Sequence, residues 1–125
     1  MTDETKTVDD MRRGPLRKEL YVITSIPAAP REQLDRTRPR HLEYQTKLEK
    51  DGILFAAGPL FKEDGSRAGG LIILRADSFA AAKAIADADP YHAAGQRTYT
   101  VQRWTVSEGS YSLRVTYSDS NVAVI

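Results

Sequence analysis

Between Leu60 and Ala68 the chain runs Phe-Lys-Glu-Asp-Gly-Ser-Arg, a polar stretch with Asp64-Gly65 at its centre. Asp-Gly between two apolar segments is a strong hairpin signal, because the tight turn needs positive φ. The segments on either side, Ile53–Leu60 and Ala68–Leu74, therefore read as adjacent antiparallel strands. The other strand-like segments are separated from this hairpin by stretches of helical spacing. Lys18–Ser25 (Lys-Glu-Leu-Tyr-Val-Ile-Thr-Ser) is rich in aromatic and β-branched types and is closed by Pro27 and Pro30. Gln96–Val106 alternates Thr98, Thr100 and Gln102 against Tyr99, Val101 and Arg103.

The two intervening stretches are helical. Leu34, Thr37, His41, Tyr44 and Leu48 recur at spacings of three and four and share one face. Pro39 interrupts that pattern and fits a first-turn position, where its missing N–H costs nothing. Residues 31–51 carry the pattern, and Pro39 thus predicts a second helical segment within it, from about Pro39 to Asp51, stopped by Gly52, with His41 in its first turn on the inward face. Ser78 is an expected N-cap for Phe79–Asp87, and Asp89-Pro90 ends that helix. The order is β-α-β-β-α-β, the ferredoxin-like split arrangement. Two helices on one face of a four-stranded sheet leave the other face in need of a cover. Residues 110–117 alternate again and predict one further strand, either an edge strand of the same subunit or one that pairs across a dimer. Residues 121–125 are apolar and are expected to pack onto something. The expected division is a tail at 1–17, an α+β domain at 18–108 and an extension at 109–125.

Composition narrows the chemistry. At 125 residues the chain suits one domain with a core. The absence of cysteine excludes disulfides, thiolate metal sites and cysteine nucleophiles. A net charge of +1 from scattered basic residues gives no phosphate-tracking stripe, so no nucleic acid is expected. No apolar run approaches the roughly 20 residues of a membrane span, and the acidic, polar start lacks a signal peptide's apolar stretch. A cytoplasmic location is the expectation.

Only His41 and His92 carry an imidazole. His41 on an inward helix face is either a core histidine bonded to a carbonyl or a general base, since imidazole exchanges protons near neutral pH. Asp89 is either a turn residue that bonds nearby amides or the carboxylate that orients His41. His92, three residues beyond Asp89, either competes with His41 for its role or, in an exposed turn, is a surface histidine. Arg38, one turn before His41, can hold an anionic or phenolate oxygen or stand in solvent. Tyr91 can offer a hydroxyl, stack on a ring or pack under the turn. Gly58-Pro59 offers a backbone surface with no side chain in the way, or simply ends a strand. The histidines and aspartates lack ligand spacing, so no metal is expected.

Taken together, several segments resemble the YCII-related family. They are Arg38-Pro39-x-His41-Leu42, Asp51-Gly52, Ala57-Gly58-Pro59-Leu60, Gly69-Gly70-Leu71, Ala76-Asp77-Ser78, Ala86-Asp87-Ala88-Asp89-Pro90-Tyr91-x-Ala93-Ala94-Gly95 and Trp104. The resemblance covers residues 18–108. It implies a dimeric α+β barrel of ferredoxin-like subunits, similar in architecture to muconolactone isomerase, in which two sheets pack face to face. It also implies a His–Asp pair in a cleft, here His41 and Asp89. One activity characterised in the family is cofactor-free dehydrochlorination of a chlorinated hydroxyhydroquinone. Both ends of this chain extend beyond the minimal domain.

The resulting expectation is a small, cofactor-independent lyase or isomerase. His41 and Asp89 perform acid–base chemistry (elimination, dehydration or tautomerisation) on a small cyclic or phenolic substrate. Arg38, Gly58, Pro59 and Tyr91 bind that substrate, and the partner is a second copy of the chain. The alternative is a non-catalytic binding or assembly module with the same pair in a structural role.

Overall fold

The computed structural model describes residues 18–124, so the expected N-terminal tail lies outside the described residues. The chain divides into two compact units, one of them Glu19–Thr105 and the other taking in the residues from Val106 onward. The first unit follows the expected order. Strand β1 (Lys18–Pro27) leads to helix α1 (Arg31–Lys50), then β2 (Leu54–Phe61) and β3 (Arg67–Leu74). Helix α2 (Phe79–Asp87), a short α3 (Pro90–Ala93) and strand β4 (Arg97–Val106) complete it. The sheet order is β2-β3-β1-β4. The Asp64-Gly65 turn joins β2 to β3, which pair antiparallel, and β3 in turn pairs antiparallel with β1.

Register explains the core. Ile23 lies opposite Ile72 and Tyr21 opposite Leu74. Leu54 and Ala57 of β2 lie opposite the same two β3 residues, and a register shift between Leu54 and Ala56 keeps both on one face. Because side chains alternate along a strand, Ile23, Ile72 and Leu74 point together. They form one cluster with Leu48 of α1 and Ala86 of α2, flanked by Tyr44, Ile85, Tyr99 and Val101. Truncating a fully buried member such as Leu74 would cost about 2–5 kcal/mol.

Helix α1 departs from expectation. It is one continuous helix of 20 residues with Pro39 inside it, not a segment that starts at Pro39. His41 therefore sits at mid-helix rather than in a first turn. Pro39 forfeits the hydrogen bond to the carbonyl of Asp35. Both residues are exposed, so water can satisfy that carbonyl, while Thr37 and Leu48 on the inward face stay buried. The packing of that face outweighs the local break. The C-terminus is as expected, with Gly52 at φ 76° just past the cap residue Asp51. Ser78 caps α2 by accepting from the Ala81 N–H at 3.0 Å.

The helices all pack on the face that carries Ile23 and Ile72. The opposite face holds Ile26, Leu60 and Trp104, which are 50%, 39% and 41% exposed. In the second unit, the expected single strand is a hairpin. β5 (Leu113–Thr116) pairs antiparallel with β6 (Asn121–Val124) in a separate two-stranded sheet. Asp119 closes its turn by accepting from the Thr116 hydroxyl and the Asn121 N–H. A sequence pass that treats 121–125 only as an apolar end misses this pairing, because partner choice is not local.

At Gly69, β3 lies close against the backbone of β1. Its φ is +146°, and a Cβ there would lie 2.7 Å from the Ser25 carbonyl oxygen. Gly69→Ala should destabilise the domain by more than about 1 kcal/mol, the usual scale when alanine meets an incompatible backbone. Gly58→Ala meets no atom within 4 Å and should leave the thermal midpoint nearly unchanged. Parallel thermal melts of the two variants check this, and equal midpoints would contradict the close approach at Gly69.

Candidate active site

Asp89 follows the last turn of α2 and precedes Pro90, the first residue of α3. Proline at the first helical position leaves Asp89 as N-cap, and its Oδ1 accepts from the Tyr91 N–H at 2.9 Å. The same carboxylate accepts from His41 Nδ1, at 2.8 Å to Oδ2 and 3.0 Å to Oδ1. The turn role and the histidine-orienting role, alternatives in the sequence, are held at once. Asp89 is 2% exposed, so its charge is stabilised by these donors rather than by water.

The carboxylate accepts only, so the proton between the two groups sits on His41 Nδ1 and Nε2 is left with the lone pair. The His41 ring is partly exposed and lines a cleft of about 330 Å³. Arg38, Leu42 and Gln45 of α1, Gly58 and Pro59 of β2, Gly70 of β3 and Tyr91 of α3 also line it. Every residue singled out from the sequence as substrate-binding is therefore in its wall.

Tyr91 is nearly fully buried. Its ring lies against His41, with centroids 4.5 Å apart, and its hydroxyl donates to the Leu34 carbonyl at 3.1 Å. It offers the cleft its ring, since its proton is already committed. Burial pushes its phenol above the ordinary value, opposed by the charges of Arg97 and Arg38. Burial likewise raises the Tyr44 phenol, with the Asp89 charge adding to the effect, and Tyr44 donates to the Ile85 carbonyl at 2.7 Å.

His92 is not the surface histidine expected. It is half-buried, and both ring nitrogens are bonded, Nδ1 to the Ala86 carbonyl at 2.7 Å and Nε2 to Ser25 Oγ at 2.8 Å. The turn that carries it folds back under β4, where Tyr99 lies against the ring at 4.9 Å. Ser25, Arg67 and Arg97 also line the cleft and were not singled out from the sequence. Arg97 had a legible signal: it shares the alternation of Tyr99 and Val101, so a charged residue falls on the inward face of β4. Among the described residues, no group of three or more histidine, aspartate and glutamate side chains gathers to hold a metal.

With this geometry established, comparison with known proteins is decisive for the family. Residues 19–105 match the model of the YCII-related domain. The chain belongs to that family. A search of curated proteins finds no match. Among solved structures, one similar protein is the 5-chloro-2-hydroxyhydroquinone dehydrochlorinase TftG of Burkholderia phenoliruptrix AC1100, in complex with 2,5-dihydroxybenzoquinone. The two share 23% identity at a TM-score of 0.57, over 68% of this chain and 92% of that one. The fold class is the expected one, the ferredoxin-like α+β subunit of the α+β barrel class, with added C-terminal strands.

Tyr99 tests how this corner is braced. Its hydroxyl donates to Asp87 Oδ1 at 2.7 Å, and its phenol is pushed up to about 12, first by burial and then by the bond to Asp87 and its charge. A phenol raised in the folded state adds stability that is complete below the unfolded value of about 10. That stability should fade as the pH climbs from about 10 towards 12. In an ultraviolet titration, Asp87→Asn should bring the Tyr99 phenol part of the way down, because burial remains.

Proposed function

We propose that this protein is a small-molecule lyase-type enzyme in which His41 is the general base and Asp89 its orienting carboxylate. The observation that carries the reading is the His41 Nδ1–Asp89 bond of 2.8 Å, made by a ring that lines a cleft of about 330 Å³. Nε2 takes a proton from a carbon or hydroxyl of a conjugated ring. The released electron pair moves into the ring system, and chloride or hydroxide departs from the adjacent carbon. The net change is loss of HX with no change in redox balance, so the chemistry calls for no electron carrier. Asp89 stabilises the imidazolium until the proton is returned. The cleft suits a single-ring substrate, and the dehydrochlorinase likeness supports a hydroxylated, halogenated ring as the first compound to try. Tautomerisation is the same proton transfer without a leaving group.

Acid–base assistance of this kind contributes about 10²–10⁴ in rate. With 5-chloro-2-hydroxyhydroquinone as substrate, His41→Ala should lower kcat by a factor in that range. Asp89→Asn keeps a competent N-cap but replaces the carboxylate, so it should also lower kcat with little change in melting temperature. Asp89→Ala loses the cap as well and should cost a further ~0.5–2 kcal/mol of stability. Undiminished turnover in His41→Ala, with chloride release followed directly, would sink the general-base role. A large fall in melting temperature with rates intact would instead indicate a structural pair.

The reading includes a second copy of the chain over the helix-free face of the sheet. Exposed Ile26, Leu60 and Trp104 support it, since a sheet face of this kind gains by being covered. Light scattering should give twice the monomer mass, and Leu60→Asp should shift the equilibrium towards the monomer.

A further inference from the structure

The cleft carries three guanidinium groups, those of Arg38, Arg67 and Arg97, together with His41, and among the described residues no carboxylate lines it. Arg97 is the most constrained of the three. Its Nε donates to Ser25 Oγ at 3.1 Å. The Ser25 hydroxyl is itself held, through a chain whose direction is set by its far end. The Ala86 carbonyl can only accept, so His92 Nδ1 carries the proton there, at 2.7 Å. In the neutral form of His92, Nε2 accepts and the Ser25 hydroxyl donates to it at 2.8 Å. The lone pairs of Ser25 Oγ are thereby left for Arg97. Ser25 is 3% exposed, so the arrangement is built into the protein rather than resting on its surface.

The guanidinium also lies over the Tyr91 ring, 5.3 Å from its centroid. Gly70 leaves bare backbone beside it, and a Cβ there would stand 3.8 Å from Arg97 Nη2. With Nε committed to Ser25, the two Nη groups form the remaining donor edge, and no ion pair to a described carboxylate occupies it. The charges of Asp89 and Arg67 act on it in opposite directions. Arg67 and Arg97 line the same cleft with no described carboxylate in its wall, which favours an anion that both can face. Tyr91 meets Arg97 and His41 alike, so one small ring can reach both.

We propose that Arg97, positioned by the Ser25–His92 chain and assisted by Arg67, forms an oxyanion subsite, so that the substrate is a planar organic anion. A carboxylate or an ionised ring oxygen supplies the two acceptor positions that a guanidinium edge matches. The inference rests on the proposed active site and names its substrate class. It is read by binding, so it stands or falls separately from turnover by His41.

Calorimetric titration of the whole protein at neutral pH would use three probes of similar size. They are benzoate (a carboxylate), 2,5-dihydroxybenzoquinone (a vinylogous acid, ionised at this pH) and neutral hydroquinone. At least one anion should bind about tenfold or more tightly than hydroquinone, and added salt should weaken the anion alone. Preference for benzoate marks a carboxylate substrate, and preference for the quinone marks an ionised ring oxygen. Arg97→Gln should weaken the preferred anion by about tenfold to a hundredfold, the effect of removing charge-assisted bonds, while hydroquinone binding is unchanged. Arg97→Lys should recover part of the loss and guards against a folding defect, with melting temperature as the check. Ser25→Ala, which leaves the charge but frees its direction, should weaken the anion less than Arg97→Gln. Equal affinity for charged and neutral probes, no binding of either anion, or an anion preference that survives in Arg97→Gln would each overturn the proposal.

Discussion

The carboxylate of Asp89 is the group around which the site is organised. It is buried, and it accepts from the first turn of α3 and from the middle of α1. Losing such a donor leaves a buried acceptor short of a partner, at a cost of about 1–3 kcal/mol. The two helices are therefore tied at a defined distance, and the His41 ring is held in one tautomer and one orientation. Tyr91, two residues beyond Asp89, is carried under the imidazole by the same short helix. Folding and the geometry of the cleft draw on one set of bonds.

The cleft itself follows from how the helix-facing layer of the sheet changes along its strands. At one end Ile23, Ile72 and Leu74 meet Tyr44 and Leu48 and form a packed core. Two residues further along β1, Ser25 faces Gly70, and Pro59 lies opposite the same glycine on β2. Small and polar residues there cannot fill the space beneath α1, where the helix presents His41 and Arg38. The core and the pocket are thus consecutive turns of one helix over consecutive residues of the same strands. Arg97 occupies the polar end and is kept there by Ser25 and His92.

Much of this was legible in the chain. The Asp64-Gly65 turn, the Ser78 cap, Gly52 after α1 and the inward face of Leu34, Thr37, His41, Tyr44 and Leu48 are local signals, and local physics is sufficient for them. Pro39 shows the limit. Its preference for a first turn is an intrinsic cost of a few kcal/mol, and the burial of Thr37 and Leu48 on the opposite side of the helix overrides it. His92 was misread for a similar reason, since the turn that holds it looks exposed until β4 runs beneath it. The Leu113–Thr116 and Asn121–Val124 pairing depends on partner choice, which alternation alone does not specify.

The amino-acid sequence by itself determined the β-α-β-β-α-β order, the family, and the residue types available for acid–base work. Spacing, turn chemistry and capping act over a few residues, so they can be read one segment at a time. The meeting of His41 with Asp89, 48 positions apart, belongs to the tertiary structure. So does the chain from Ala86 through His92 and Ser25 to Arg97. Hydrogen bonds between distant residues exist only once strand register and helix packing bring donor and acceptor within about 3 Å. That register brings a histidine with two open readings against a buried carboxylate, beside a cationic cleft.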